Sequence, residues 1–168
     1  MSIDFFTARC SGSSDKRIFG LCDKAHPAKE PAYIDEDNGK DWIAVIENNN
    51  RETVQFIAVD HCIDLLKVDG KMDSRCDGML YYNTTVIFVE LKERSGLGNE
   101  WVKDGEKQLR ATIKHFEQEA EAVNYTFKKA YIANSGHPKF KTTQAGRMEQ
   151  FLADTGYVLR IENRIAID

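Results

Sequence analysis

Three residues stand where their types and spacing allow chemistry: Asp77, and then Glu90 and Lys92 two positions apart. They sit in two β-type runs, CDGMLYY and TTVIFVELK, on either side of Asn83, a pattern that predicts a hairpin. Residues i and i+2 of a strand share a face, so Glu90 and Lys92 project together. With the turn centred between positions 83 and 84, Asp77 falls nearly opposite Glu90, at the β-carbon separation of about 5 Å usual for cross-strand neighbours. Two carboxylates and an ammonium then converge at one strand end. A like-charged carboxylate pair in a sheet core is costly, and a divalent cation relieves it, because Asp and Glu oxygens are hard ligands for Mg²⁺ or Mn²⁺. Lys92 is placed to polarise a phosphate oxygen or to orient a water. A Lewis acid, an activated water and a charge-stabilising lysine are the parts that phosphodiester hydrolysis requires.

The elements that hold these groups follow from the hydrophobic period. DWIAVIE and ETVQFIAVD are β-type runs flanking NNNR, which predicts a hairpin around Asn48–Asn50. Apolar residues at Leu109, Ile113, Phe116, Ala120 and Val123 recur at helical spacing, so an amphipathic helix of about six turns is expected from Trp101 to Val123. KKAYIAN reads as a strand, GRMEQFLADTG as a helix closing at Gly156, and YVLRIEN as a last strand. The resulting fold class is α/β, with a mixed central β-sheet flanked by helices in one domain spanning residues 1–168. Residues 1–41 read as a loop-rich lead-in with a short strand at Arg17–Leu21, and residues 42–168 as the core.

The segment CDGMLYYNTTVIFVELK resembles the core of the PD-(D/E)XK nuclease superfamily, which includes restriction endonucleases, Holliday-junction resolvases and phage exonucleases. The resemblance covers roughly residues 54–134. It implies a restriction endonuclease-like αβββαβ core, with Asp77 and Glu90 as catalytic carboxylates and metal ligands, and Lys92 as the catalytic lysine. It also implies the Leu91 backbone carbonyl as a further metal ligand, and Gln108, in GEKQLRATI, as an assisting residue on the following helix. The pattern departs where Cys76 replaces the proline expected before the aspartate. It departs again where no helix supplies an N-terminal acid, for which Glu30, Glu36 and Glu47 are the candidates; Asp60, ending the preceding strand, is another acid able to face the site. The expectation is a Mg²⁺- or Mn²⁺-dependent deoxyribonuclease acting on DNA, as a single chain, a homodimer or beside a partner subunit. The alternative is a nuclease-fold module without activity that binds nucleic acid or protein.

Composition bounds these readings. The 168 residues carry 23 Lys+Arg against 27 Asp+Glu, a net charge of -4, which excludes a protein that coats nucleic acid by bulk attraction. Basic residues gather late: Lys128, Lys129, Lys139, Lys141 and Arg147 occur with no intervening acid, either as a phosphate-contacting edge or as a solvated loop. Trp101 reads as a packing anchor ahead of a base-stacking residue, and His115 as a surface or satisfied histidine. No run approaches the roughly 20 apolar residues of a membrane span, and Asp4 interrupts what would be the apolar part of a signal peptide. A cytoplasmic chain with no membrane partner is therefore expected. Its four cysteines, without CxxC spacing, read as reduced thiols. No cysteine follows Cys76, so cysteines cannot hold an iron–sulfur cluster from both sides of the core, and a zinc site from Cys10, Cys22 and His26 lacks regular spacing.

Overall fold

A strand as apolar on both faces as VIFVELK has to be covered on both, and the chain is arranged to do so. The structure, a computed structural model, describes residues 2–24, 28–96, 98–137 and 144–168. In chain order the strands are β1 (Ser11–Ser14), β2 (Ile18–Cys22), β3 (Tyr33–Asp35), β4 (Ala44–Glu47), β5 (Val54–Ala58), β6 (Gly78–Tyr82) and β7 (Thr85–Lys92). Helix α1 (Glu100–Glu117), β8 (Phe127–Asn134), α2 (Ala145–Thr155), β9 (Val158–Arg160) and β10 (Arg164–Ala166) complete the fold. Six strands form the main sheet in the order β1-β5-β6-β7-β8-β9, with every residue of β7 before Lys92 buried. Its first four strands pair antiparallel, while β7, β8 and β9 pair parallel. Parallel neighbours need a crossover, and α1 and α2 supply one each.

Helix α1 turns Leu109, Ile113 and Phe116 inward. Phe116 meets Phe88 of β7 edge-on at 5.2 Å and Phe5 at 5.3 Å, so the N-terminal segment closes the far side of this aromatic cluster. Helix α2 ends where Gly156 takes φ 80°, the left-handed cap anticipated for it. Trp101 is buried and stacks on His137 at 5.7 Å, a packing anchor as expected. No helix among the described residues is long and apolar enough to cross a membrane.

The mixed α/β class expected from the sequence is what forms. Several local expectations are corrected. The runs flanking NNNR do not form a hairpin: β4 and β5 belong to different sheets. The buried Asn48 takes the chain between them, donating to the carbonyls of Lys16 and Glu52 and accepting from the Glu52 N–H, and Arg51 follows at φ 51°. The lead-in carries more strand than the one expected at Arg17–Leu21. It contributes β1 to the main sheet and, with β4 and β10, supplies β2 and β3 to a second sheet ordered β10-β4-β2-β3. The strand expected at Arg17–Leu21 is β2. The residues of YVLRIEN divide, with only Val158–Arg160 in the main sheet before the chain turns into β10 beside β4. Helix α1 stops at Glu117, and Ala120–Asn124 form a 3₁₀ turn that leaves Val123 exposed, so the last two apolar positions of the expected helix continue its spacing without its packing.

The four cysteines are not all thiols. Cys10 and Cys62 form a disulfide with Cα atoms 6.4 Å apart, while Cys22 and Cys76 are free and buried. Antiparallel pairing of β1 with β5 sets Ser11 opposite Ile57 and so carries Cys10 to the segment just past β5. A separation of 52 residues with no regular spacing gives no hint of that contact in the sequence. The disulfide also removes Cys10 from any zinc site, and His26 lies outside the described residues.

Candidate active site

The β6–β7 hairpin is closed by Asn83 and Thr84, with Tyr82 opposite Thr85 and Asn83 at φ 49°, a conformation that asparagine tolerates. The ladder runs to Gly78 opposite Val89, and one step further brings Asp77 opposite Glu90. Gly78 is needed there, because a Cβ would sit 2.3 Å from the Phe56 ring that covers it. The expected register is thus the register found. Both carboxyls are buried, Glu90 at 3% exposure and Asp77 at 8%.

A compact set of hydrogen bonds holds the pair. The Asp77 N–H donates to Glu90 Oε1 at 3.1 Å, and the Leu91 N–H donates to Asp77 Oδ2 at 2.7 Å. Lys92 Nζ lies 3.2 Å from Glu90 Oε2 and donates to Gln108 Oε1 at 3.0 Å. Gln108 in turn donates through Nε2 to the Arg75 carbonyl at 3.3 Å. Helix α1 brings in a fifth side chain one turn on from Gln108. Thr112 Oγ1 accepts from the Cys76 N–H at 2.8 Å and donates to the Gln108 carbonyl at 2.9 Å. Residues i and i+4 of one helix therefore grip the two residues that precede Asp77. Sequence reasoning names Asp77, Glu90, Lys92 and Gln108, which the fold brings together. It misses Thr112, whose only signal was its position four after Gln108.

Burial pushes the Asp77 carboxyl up to about 7, against the Leu91 hydrogen bond that lowers it. Burial raises Glu90 well above its ordinary range, with the nearby Asp77 charge adding to the effect and Lys92 opposing it. Asp23, just past β2, is raised by its own burial and by Asp60, and both acids act on Asp77 in turn. Asp60 thus does reach the field of the site, as its place after β5 suggests, tied to Arg75 at 3.1 Å. Asp23 is an acid that the sequence gives no reason to choose. Glu36 accepts from Ser14, Glu47 pairs with Arg164, and Glu30 pairs with Lys24, so these three candidates are engaged elsewhere.

This burial has a pH signature. An acid whose folded value lies above its unfolded one stabilises the fold fully below the unfolded value, and that contribution is lost as pH rises through the folded one. For Asp77 the window runs from the ordinary 3.8 to about 7, and the loss is on the order of 4 kcal/mol. Urea unfolding in EDTA should therefore give wild type a steeper loss of stability than Asp77→Asn between pH 4.5 and pH 8. Parallel profiles for the two proteins would contradict the assignment.

The donor chemistry fits a hard divalent cation. Two buried carboxyls lie in hydrogen-bond contact with each other, so charging both without a counter-ion is unfavourable. Asp77, Glu90 and the Leu91 carbonyl are the oxygens that would hold the ion. Among the described residues no three His, Cys, Asp or Glu side chains gather closely enough to bind a metal by themselves.

Of the late basic residues, Lys128 and Lys129 lie away from this site. Parallel pairing sets Lys128 and Lys129 opposite Val86 and Ile87, roughly 15–20 Å along the strand from Lys92. Both are engaged there, Lys128 with Glu117 at 2.8 Å and Lys129 with Asp168 at 2.9 Å. Arg147, on α2, binds Glu106 of α1 at 2.6 Å. Lys139 and Lys141 lie outside the described residues. His115 is satisfied by Asp73 at 3.0 Å. Comparisons of this chain with protein-family models, with curated proteins and with solved structures return no match.

Proposed function

We propose that the chain is a metal-dependent nuclease that hydrolyses phosphodiester bonds in DNA, built on a PD-(D/E)XK-type core. The observation that carries this reading is the buried Asp77–Glu90 pair with Lys92 fixed 3.2 Å from Glu90 and 3.0 Å from Gln108. Burying two acids in contact is expensive, and a hydrolytic metal site gives that expense a use. The order β5-β6-β7-α1-β8 supports the core assignment from its first strand onward, although no α-helix precedes β5 among the described residues.

Asp77, Glu90 and the Leu91 carbonyl would bind Mg²⁺ or Mn²⁺. When bound, the ion supplies Lewis acidity to a phosphate oxygen and activates a water. The chain's own groups do the rest. Lys92, its Nζ oriented by Glu90 and Gln108, presents N–H donors toward a phosphate oxygen and stabilises the charge that develops there. Gln108 sets that direction, since its Oε1 holds Lys92 while its Nε2 is tied to the Arg75 carbonyl. The low exposure of Glu90 keeps bulk water from competing for these groups.

Plasmid, branched and single-stranded DNA incubated with the protein in Mg²⁺ or Mn²⁺ provides the test. Cleavage that vanishes in EDTA and in Asp77→Asn is the expected result; no cut substrate, or an equally active variant, refutes the reading. One observation favours a second function, a binding module without activity: among the described residues the two carboxylates lack a third acidic or imidazole partner close enough to complete a ligand set. Calorimetric titration with Mn²⁺ separates them, because a module that only binds DNA or protein has no need to hold the ion.

A further inference from the structure

We propose that residues 66–72 form a finger that engages DNA at an interrupted base stack, such as a branch point, gap or frayed end. It would set that discontinuity beside the Asp77–Glu90–Lys92 site; the proposal rests on the nuclease reading and names its substrate class.

The segment LKVDGKM is a tight hairpin. The Lys67 N–H donates to the Lys71 carbonyl at 2.8 Å, Gly70 to the Lys67 carbonyl at 2.9 Å, and Asp73 to the Leu65 carbonyl at 2.7 Å. Gly70 takes φ 83° to close the turn, and Asp69 Oδ1 accepts from the Lys71 N–H at 2.9 Å. The base is anchored as firmly. Leu65 is buried, the Arg75 guanidinium donates to the Ile63 carbonyl, Asp73 holds His115, and Cys62 is tied to Cys10.

On this hydrogen-bonded support the apolar side chains point out. Val68, at the tip, is fully exposed, and Leu66 and Met72 are 52% and 43% exposed. Apolar side chains lose stabilisation by standing in water, and a loop pinned in this way has no slack with which to hide them. Lys67 and Lys71 flank the tip, are exposed, and form no ion pair among the described residues. An apolar wedge between two cations matches the way proteins enter a DNA base step: the wedge replaces a lost stacking partner and the cations take the adjacent phosphates. Intact duplex must be unstacked to admit it, whereas DNA with an interrupted stack need not be.

The finger also stands next to the chemistry. The chain runs from its base through Ser74, Arg75 and Cys76 directly into Asp77, and Ser74 and Arg75 line a cleft with Asp60, Lys107 and Gln108. A strand discontinuity held by the finger would thus lie at the end of the sheet that carries Lys92.

Fluorescence anisotropy of the full chain in Ca²⁺ tests this, with a three-way junction and a duplex of the same sequence as probes. Wild type should bind the junction more tightly, and Val68→Ser should lose about tenfold on the junction while leaving the duplex unchanged. A Lys67→Ala/Lys71→Ala double variant should weaken both and reduce the salt slope by about two phosphate contacts. Junction binding indifferent to Val68, or no binding to either probe, as expected if the finger serves a protein partner, overturns the proposal. Val68-dependent junction preference in a protein that cuts nothing sustains the finger and defeats the hydrolytic reading; cutting indifferent to Val68 does the reverse.

Discussion

Lys92→Met should lower metal-dependent cleavage by about 10³-fold, within the range that loss of a positioned charge or general acid–base group produces. Methionine keeps the length and the apolar stem of the side chain while removing the charge that lies between Glu90 and Gln108. The neighbouring Glu90, already raised by burial and by Asp77, then has still less to hold it ionised and should take up a proton. The variant should therefore remain folded by circular dichroism while losing activity. Gln108→Ala, which frees the Lys92 amine without removing it, should fall between wild type and Lys92→Met. A Lys92→Met protein that retains more than a tenth of wild-type cleavage would remove the lysine from the mechanism.

Reducing the Cys10–Cys62 disulfide should markedly lower the stability of the fold. Cross-linking residues 52 apart restricts the unfolded chain by roughly 4 kcal/mol in the chain-entropy account. For a protein of this size that corresponds to a fall of roughly 10 °C in Tm. Thermal unfolding with and without a thiol reductant, beside a Cys10→Ser/Cys62→Ser double variant, measures it. The double variant should melt low in both conditions and be insensitive to reductant. A Tm that reductant leaves unchanged would show that the bond does not contribute in solution. The segment it secures carries Ile63 and Leu65 into the finger, so reduction should also weaken junction binding if the finger acts as proposed.

Most of the candidate site was legible because it is local. The hairpin register follows from a two-residue turn, the shared face of Glu90 and Lys92 from the pleat, and the place of Gln108 from a helix just downstream. What escaped notice depends on long-range pairing. The second sheet draws β2, β3, β4 and β10 from both ends of the chain, and short strands of three to five residues carry little period of their own. NNNR has the composition of a hairpin turn, and only the burial of Asn48 among backbone partners reveals that the chain is changing sheets. Asp23 enters the field of Asp77 because β2 ends beside it, which no spacing encodes. The place of Lys128 and Lys129 was hidden for a different reason: composition reports charge but not which end of a strand bears it, and the parallel register sets these two at the end away from Lys92.

The pairing of β6 with β7 also makes the site conditional on its register. A slip of one residue in that hairpin would turn Asp77 and Glu90 to opposite faces and dissolve the cluster of charge. The Leu91 and Asp77 N–H groups would lose their carboxylate partners in the same event, so the slipped form gains no compensating bond. Thr112 and Gln108 grip residues 75 and 76 only when the strand has arrived in step with α1. On the hydrolytic reading, copies that have not finished folding would be inert, and a cell making this protein would meet its chemistry only through molecules whose central hairpin is correctly aligned.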